Sequence, residues 1–398
     1  MRKFLAALLL AGVIAPAVSA NPLPIWLAPG EKPSKAVRVK AEPSVPPNTF
    51  RLPAEYEPAA AVVISWSAYP DMLTAIAQGV TGPGHAQIWV ANGPDSISGV
   101  PADSYSKLSI NTDSVWARDY GPYGLKGDGT PGIIDSIYRH YQERPQDDAF
   151  PTNLANAKNI PVYSMNMILD GGNVMVDSKG DMFMTKRTYL WNPSMTQDQV
   201  DSTLKQYFNV KNIYTFDYSG YPNDPVDGTG HIDMFMKLLN DHTVLVATAD
   251  TDPYKSTGDK AIQYFTGRTA PDGQPYKVLT VKGWADASNN NTWYTYTNSL
   301  IINNAVLIPA YTGHDAENDA AKKAYEEGIP GITVVEVNAD QSIVDGGAIH
   351  CETQVIPMLP AAKKADSSSD ASKSLSTDYP AKTVNSPALQ QLSTMAAN

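Results

Sequence analysis

The sequence predicts an α/β fold assembled by radial repetition, and three observations predict it. Short β-rich runs alternate with helical patterns through the middle of the chain. The strand–helix units recur at roughly 50–70 residues, which suits radial repetition better than a two-layer sandwich. The third is an internal echo. Ile168-Leu169-Asp170-Gly171-Gly172-Asn173 resembles Ile343-Val344-Asp345-Gly346-Gly347-Ala348, as though one structural corner were used twice.

The elements follow from local chemistry. Strands are expected at Ala60–Trp66, Gln87–Val90, Ile133–Ile137, Asn173–Val176, Met182–Thr185, Asn212–Phe216, Thr243–Ala247, Val278–Val281, Ser299–Pro309 and Ile332–Val337, where β-branched and aromatic residues cluster. Short helices fill the gaps. Thr196 and Gln199 have the spacing of a capping box, and Val200, Leu204, Tyr207 and Phe208 then share one face. Asp315 to Gly328 reads as another helix, with Gly328 as its stop and Pro330 just beyond.

The chain has 398 residues, 42% of them hydrophobic, which excludes a wholly disordered protein. Lys and Arg number 30 and Asp and Glu 41, for a net charge of −11. That balance argues against a nucleic-acid partner and favours cationic ligands. Residues 1–20 read as a secretory signal peptide: Arg2 and Lys3, then an apolar stretch too short for a membrane span, then Val18-Ser19-Ala20. A secreted or periplasmic protein without a membrane span is expected. Residues 21–50 read as an extended Pro-rich arm, 51–359 as the folded body, and 360–398 as a low-complexity, disordered tail. The single cysteine, Cys351, excludes an intramolecular disulfide. An unpaired thiol serves an exported protein poorly unless it is buried or chemically used.

Four stretches concentrate unusual residues: Trp116 to Pro122, Gly228 to Phe235, Tyr296 to Ser299, and Asp345 to Gln354. Read as a strand, His231-Ile232-Asp233 puts the imidazole and the carboxylate on one face, poised for proton transfer or cation binding. No third clustered histidine accompanies them, so no metal is expected. Cys351 lies beside His350 and after a glycine pair. With His231 distant in sequence, it fits a Cys/His arrangement assembled in space. Asp119 near Trp116 offers a carboxylate beside an aromatic wall, a setting for a flat cation such as guanidinium.

Together these stretches resemble the guanidino-group-modifying (pentein) superfamily, and within it the bacterial peptidylarginine deiminase and agmatine deiminase family. The resemblance rests on WARDYGP, DGGN, GHIDMF, TNSL and GGAIHCETQ, in this order, and spans most of residues 50–359. It implies a five-bladed α/β propeller with pseudo-fivefold symmetry. It implies that Asp119 and Asp233 grip a guanidinium, that Cys351 attacks its carbon, and that His231 protonates departing ammonia and then activates water. Asn298 takes a supporting polar role, Trp116 forms a substrate wall, and no cofactor takes part.

For the substrate, the leader favours peptidylarginine over agmatine. Arg144, in Glu143 to Asp148, matches one of two arginines that hold a peptide's C-terminal carboxylate in some bacterial relatives. Gln142 stands at the other position, with Arg139 nearby. Asp170 stands where agmatine deiminases place an acid that could meet agmatine's ammonium, or it is a turn residue. The alternatives to a peptidylarginine deiminase are thus an agmatine deiminase and a non-catalytic extracellular binder of cationic peptides.

Overall fold

The structure is a computed structural model that describes residues 42–127, 129–138, 144–286 and 292–358. The predicted leader, the first part of the arm, the 360–398 tail, Arg139 and Gln142 lie outside the described residues.

The architecture is α/β, and one strand pattern is used five times. In each case two antiparallel strands are followed by a helical crossover and a third strand parallel to the second. The second sheet pairs Tyr123–Lys126 with Pro131–Ile137, crosses over through helix Pro145–Lys158 and adds Val162–Ile168. The third runs Met175–Val176, Asp181–Thr185, helices Arg187–Trp191 and Gln197–Phe208, then Asn212–Phe216. The fourth runs Met236–Asn240, Thr243–Thr248, helix Tyr254–Phe265, then Lys277–Lys282. The fifth runs Leu300–Ile302, Ala305–Ala310, helix Asp315–Gly328, then Thr333–Asn338. The first sheet uses both ends of the described chain. Its leading strand is the C-terminal Gln354–Pro357, antiparallel to Ala59–Ser65. Helix Pro70–Thr81 leads to Gln87–Ala91, and Tyr105–Leu108 is added outside it. Antiparallel neighbours need only a tight turn, whereas parallel neighbours need a crossover. That rule fixes the alternation seen in the sequence.

Most expected strands form within a residue or two of their predicted bounds, because their middle strands are buried on both faces and read as apolar runs. Ala59–Ser65 is buried at every position. The capping box at Thr196 forms reciprocally with Gln199, at 2.8 and 3.2 Å, and Val200, Leu204, Tyr207 and Phe208 are its buried face. Helix Asp315–Gly328 has its predicted bounds.

Three expectations are corrected. Ser299–Pro309 is a hairpin, turned at Asn303 in the left-handed region with φ 49°. Asparagine tolerates that conformation better than most residues, and here its side chain accepts from the Ala59 N–H and donates to the carbonyls of Ala59 and Gly84. Asn173 belongs to a 3₁₀ turn, Gly171–Asn173, and the strand begins at Met175. His231-Ile232-Asp233 is no strand, since Ile232–Met234 is a 3₁₀ turn with His231 at its N-terminal boundary. The echoed corners also differ: the first turns over Gly171–Asn173, the second over Ile343–Asp345. The described end of the arm is docked. Ser44 exchanges hydrogen bonds with Ser164, and Phe50 packs edge-on against Tyr163.

Candidate active site

Each of these five sheets delivers one segment of the site just before its leading strand, while a further two-stranded sheet, Trp284–Asp286 with Thr292–Tyr294, delivers none. Asp119 precedes Tyr123–Lys126, and Asp170 with Gly172 precedes Met175–Val176. His231 and Asp233 precede Met236–Asn240, Asn298 precedes Leu300–Ile302, and Cys351 precedes Gln354–Pro357. Residues far apart in sequence therefore meet because they occupy equivalent corners.

The meeting point is marked by Gly172. A Cβ built there would lie 2.5 Å from His231 Nδ1, 2.9 Å from Asp119 Oδ1 and 3.1 Å from Asp233 Oδ2. Only a glycine lets three reactive side chains close on one spot. Gly347 does the same at the echoed corner, where a Cβ would lie 2.7 Å from Cys351 Sγ and 2.8 Å from Trp116 Cζ3. The echo thus places a bare backbone at both halves of the site, and Trp116 stands as a wall beside the thiol.

Asn298 sets the thiol. Its Oδ1 accepts from the backbone N–H groups of Ala348, His350 and Cys351, at 3.0 to 3.2 Å, so its Nδ2 is turned to donate to Cys351 Sγ at 3.1 Å. Cys351 Sγ also lies 3.8 Å from Asp233 Oδ2. Burial first, then the charges of Asp233 and Asp119, push the thiol well above its ordinary pKa. Without a ligand the cysteine is therefore protonated.

His231 is fully buried between carboxylates. Its Nε2 is 3.1 Å from Asp170 Oδ2 and its Nδ1 3.6 Å from Asp119 Oδ1. Burial alone would lower its pKa. Asp119, Asp170 and Asp233 outweigh it and raise the value to about 9. Asp119 is raised to about 7, chiefly by burial and in spite of His231. The imidazole is thus an acid at neutral pH, facing the thiol's neighbourhood.

A charged network that sequence reasoning missed lies behind Asp233. His350 Nδ1 is 2.6 Å from Asp233 Oδ2, and its Nε2 is 2.7 Å from Glu55 Oε2. Glu55 also pairs with Arg118 and Lys237, and Lys237 donates to the carbonyl of Ser299. Burial opposes ionisation of Glu55, but Lys237, His350 and Arg118 hold its pKa well below the usual carboxylate range. Arg118 further donates to the His350 carbonyl and Gln354, and its N–H to the Cys351 carbonyl, clamping the cysteine's segment. His350 beside Cys351 was the one available signal; nothing in the surroundings of Glu55 or Lys237 in sequence marks them.

Arg144 sits apart from this cluster. It is buried at the start of helix Pro145–Lys158, with its charge beside Asp147. Asp147 accepts from the backbones of Asp113 and Ser114 and from the Ser114 hydroxyl. The pair braces the loop that carries Trp116 and Asp119. Among the described residues no group of three or more His, Cys, Asp or Glu side chains has metal-holding geometry. No helix among them is long and apolar enough to cross a membrane.

The chain belongs to the Porphyromonas-type peptidyl-arginine deiminase family, whose sequence profile matches residues 51–357. It is a guanidino-modifying enzyme of the pentein type and a guanidino-group deiminase. A Marinomonas sp. (strain MWYL1) protein named "Putative agmatine deiminase" is 25% identical over 365 residues, covering 77% of this chain and 94% of that one. The agmatine deiminase of Enterococcus faecalis superposes with a TM-score of 0.68 at 21% identity, over 80% of this chain and 99% of its own. A Porphyromonas gingivalis structure described as a putative arginine deiminase gives 0.67 at 22%, over 77% and 98%. At such identities the structural likeness speaks for the fold.

Proposed function

We propose that the chain hydrolyses a substrate guanidinium to a ureido group and ammonia through a thiouronium on Cys351. The convergence of Asp119, His231 and Asp233 on one point beside Cys351 carries this reading. Two carboxylates close to a buried thiol suit a flat cation, and each pairing is worth up to about 4 kcal/mol at 4 Å before desolvation is subtracted. The same charges that keep the thiol protonated are neutralised when the guanidinium arrives, so binding itself lowers the thiol's pKa. The thiol then gives up its proton to solvent, and the thiolate attacks the central carbon, which becomes tetrahedral. His231, the bound acid, gives its proton to the leaving nitrogen, and the C–N bond breaks to release ammonia. Now neutral, His231 takes a proton from water as it adds to the thiouronium. The C–S bond breaks as the hydroxyl proton of the adduct passes to the sulfur, which restores the thiol, and the ureido product leaves uncharged. Asp170 keeps the imidazole oriented through both steps, and Asn298 holds the sulfur.

We further infer that the five equivalent sheets are blades around a pseudo-fivefold axis; their repeated strand pattern supports it. Kinship favours agmatine as substrate, since the relatives' names give that activity. Peptidylarginine is the second reading, favoured by the family's name and by the leader. Export rests on the leader pattern alone, and N-terminal sequencing of protein recovered outside the cytoplasm should begin at Asn21; an intact Met1 would reject it. The test of function is ammonia release and product mass from agmatine, free arginine and arginine peptides. Turnover is expected from at least one, and none from Cys351→Ala. Ammonia released equally by that variant would reject the mechanism.

A further inference from the structure

A cavity beside the reacting groups is lined by Asp170, Asn173, Arg187, Thr188, Trp191 and His231. Arg187 is the unusual member. Its side chain is 7% exposed, so its charge is almost wholly out of water. Its guanidinium lies over two aromatic rings, 4.9 Å from the Trp191 centroid and 5.7 Å from that of Tyr218. These faces hold its plane, and the Tyr218 hydroxyl also interacts with the guanidinium, a neutral partner that brings no opposite charge. Nη1 faces Asp224 at 3.9 Å, and that aspartate is 80% exposed, so the pairing is loose and screened. Nε and Nη2 have no hydrogen-bond partner among the described residues.

Those two N–H groups form one edge of the guanidinium, with parallel donors spaced for the two oxygens of a carboxylate. A buried charge without acceptors is costly, and a bidentate anion removes that cost. Asp170, on the same cavity wall, is committed to His231 at 3.1 Å. Its charge is matched there and does not bar an incoming anion.

We infer that Arg187 determines specificity by receiving a carboxylate at the far end of the substrate, while the guanidinium lies at Cys351. The inference rests on the deiminase reading above and sharpens it. Free arginine and C-terminal arginine carry a carboxylate at the opposite end from the guanidinium. Agmatine carries an ammonium instead, which Arg187 repels. The order of preference therefore runs carboxylate-ended guanidines first and agmatine after, against the order that kinship alone gives.

The experiment compares kcat/KM for agmatine, free arginine, glycyl-arginine and glycyl-arginine amide, using the full chain. The acid should exceed its amide by about tenfold or more, the difference falling in KM. Arg187→Gln should collapse that ratio toward one, and Arg187→Lys, which keeps the charge but loses the fork, should restore part of it. The two acids separate a free amino acid from a peptide end as the source of the carboxylate. An acid-to-amide ratio near one in the natural chain overturns the inference without any variant having to fold. So does a ratio that Arg187→Gln leaves intact. Ammonia from none of the four sinks the deiminase reading, and the subsite falls with it. Turnover without preference for the acid sinks the subsite alone.

Discussion

Asp119 and His231 hold each other's charge, and that makes the pH dependence of the site calculable in sign. Asp119 must be ionised to attract a guanidinium, and its pKa is raised to about 7. His231 must be protonated to release ammonia, and its pKa is raised to about 9. As pH rises, kcat/KM should climb through about 7, as Asp119 loses its proton, and fall through about 9, as His231 loses its own. Asp119→Asn removes the negative charge that does most to raise the histidine's pKa. The alkaline limb should then move below 9, the acid limb should disappear, and the rate should drop by about 10²-fold or more. Stopped assays from pH 5 to 10 on both proteins check this. An alkaline limb unmoved in the variant would show that another group supplies the proton. The same two shifts act on stability. Both groups are more basic folded than unfolded, so the folded state binds more protons and their contribution is lost as pH rises toward 9.

Local elements are legible in sequence where the signal is chemical and local. Thr196 and Gln199 satisfy each other's backbone groups whatever the rest of the chain does. Thr196→Ala should therefore cost about 1 kcal/mol of stability with kcat/KM unchanged, since helix Gln197–Phe208 carries no site residue. Denaturant melts and an activity assay on one preparation measure both. A loss of activity at equal stability would tie this helix to the site. The turn at Ile232–Met234 escapes a sequence reading because His-Ile-Asp has the alternation of a strand, and only the packing of neighbouring corners makes it turn. Strands Tyr123–Lys126, Val162–Ile168, Met236–Asn240 and Gln354–Pro357 escape it because each is short or broken by polar residues such as Lys126, Asn166 and Lys237. Lys237 sits inside a strand because Glu55 and the Ser299 carbonyl meet its charge, partners drawn from elsewhere in the chain. The motifs themselves are legible, since Asp119, His231, Asp233, Asn298 and Cys351 do meet. The supports behind them, Glu55 and Lys237, are not, because a buried ion cluster has no local spacing rule.

At the scale of the whole molecule, the two ends of the folded body close on each other in one sheet. Gln354–Pro357 pairs with Ala59–Ser65, and the Met358 N–H donates to the Pro58 carbonyl. The nucleophile stands three residues before that closing strand, so closure and catalysis share an anchor. Ile356 fixes the strand. It is 1% exposed and belongs to one buried cluster with Val63, Trp89, Tyr120 and Phe150. That cluster joins the first sheet to the second, and a larger one joins the first, third, fourth and fifth. A core continuous across units predicts that the closing strand does not open by itself. Ile356→Ala should cost about 2–5 kcal/mol, the transfer of the lost side chain plus the cavity left behind. Because closure is coupled to the remaining sheets, activity and tryptophan fluorescence should be lost together in urea, at one lowered midpoint with an unchanged slope. If activity vanishes at a lower urea concentration than the fluorescence change, the first sheet opens as an independent unit. That sheet would then be held by its neighbours and not by the pairing of the two ends.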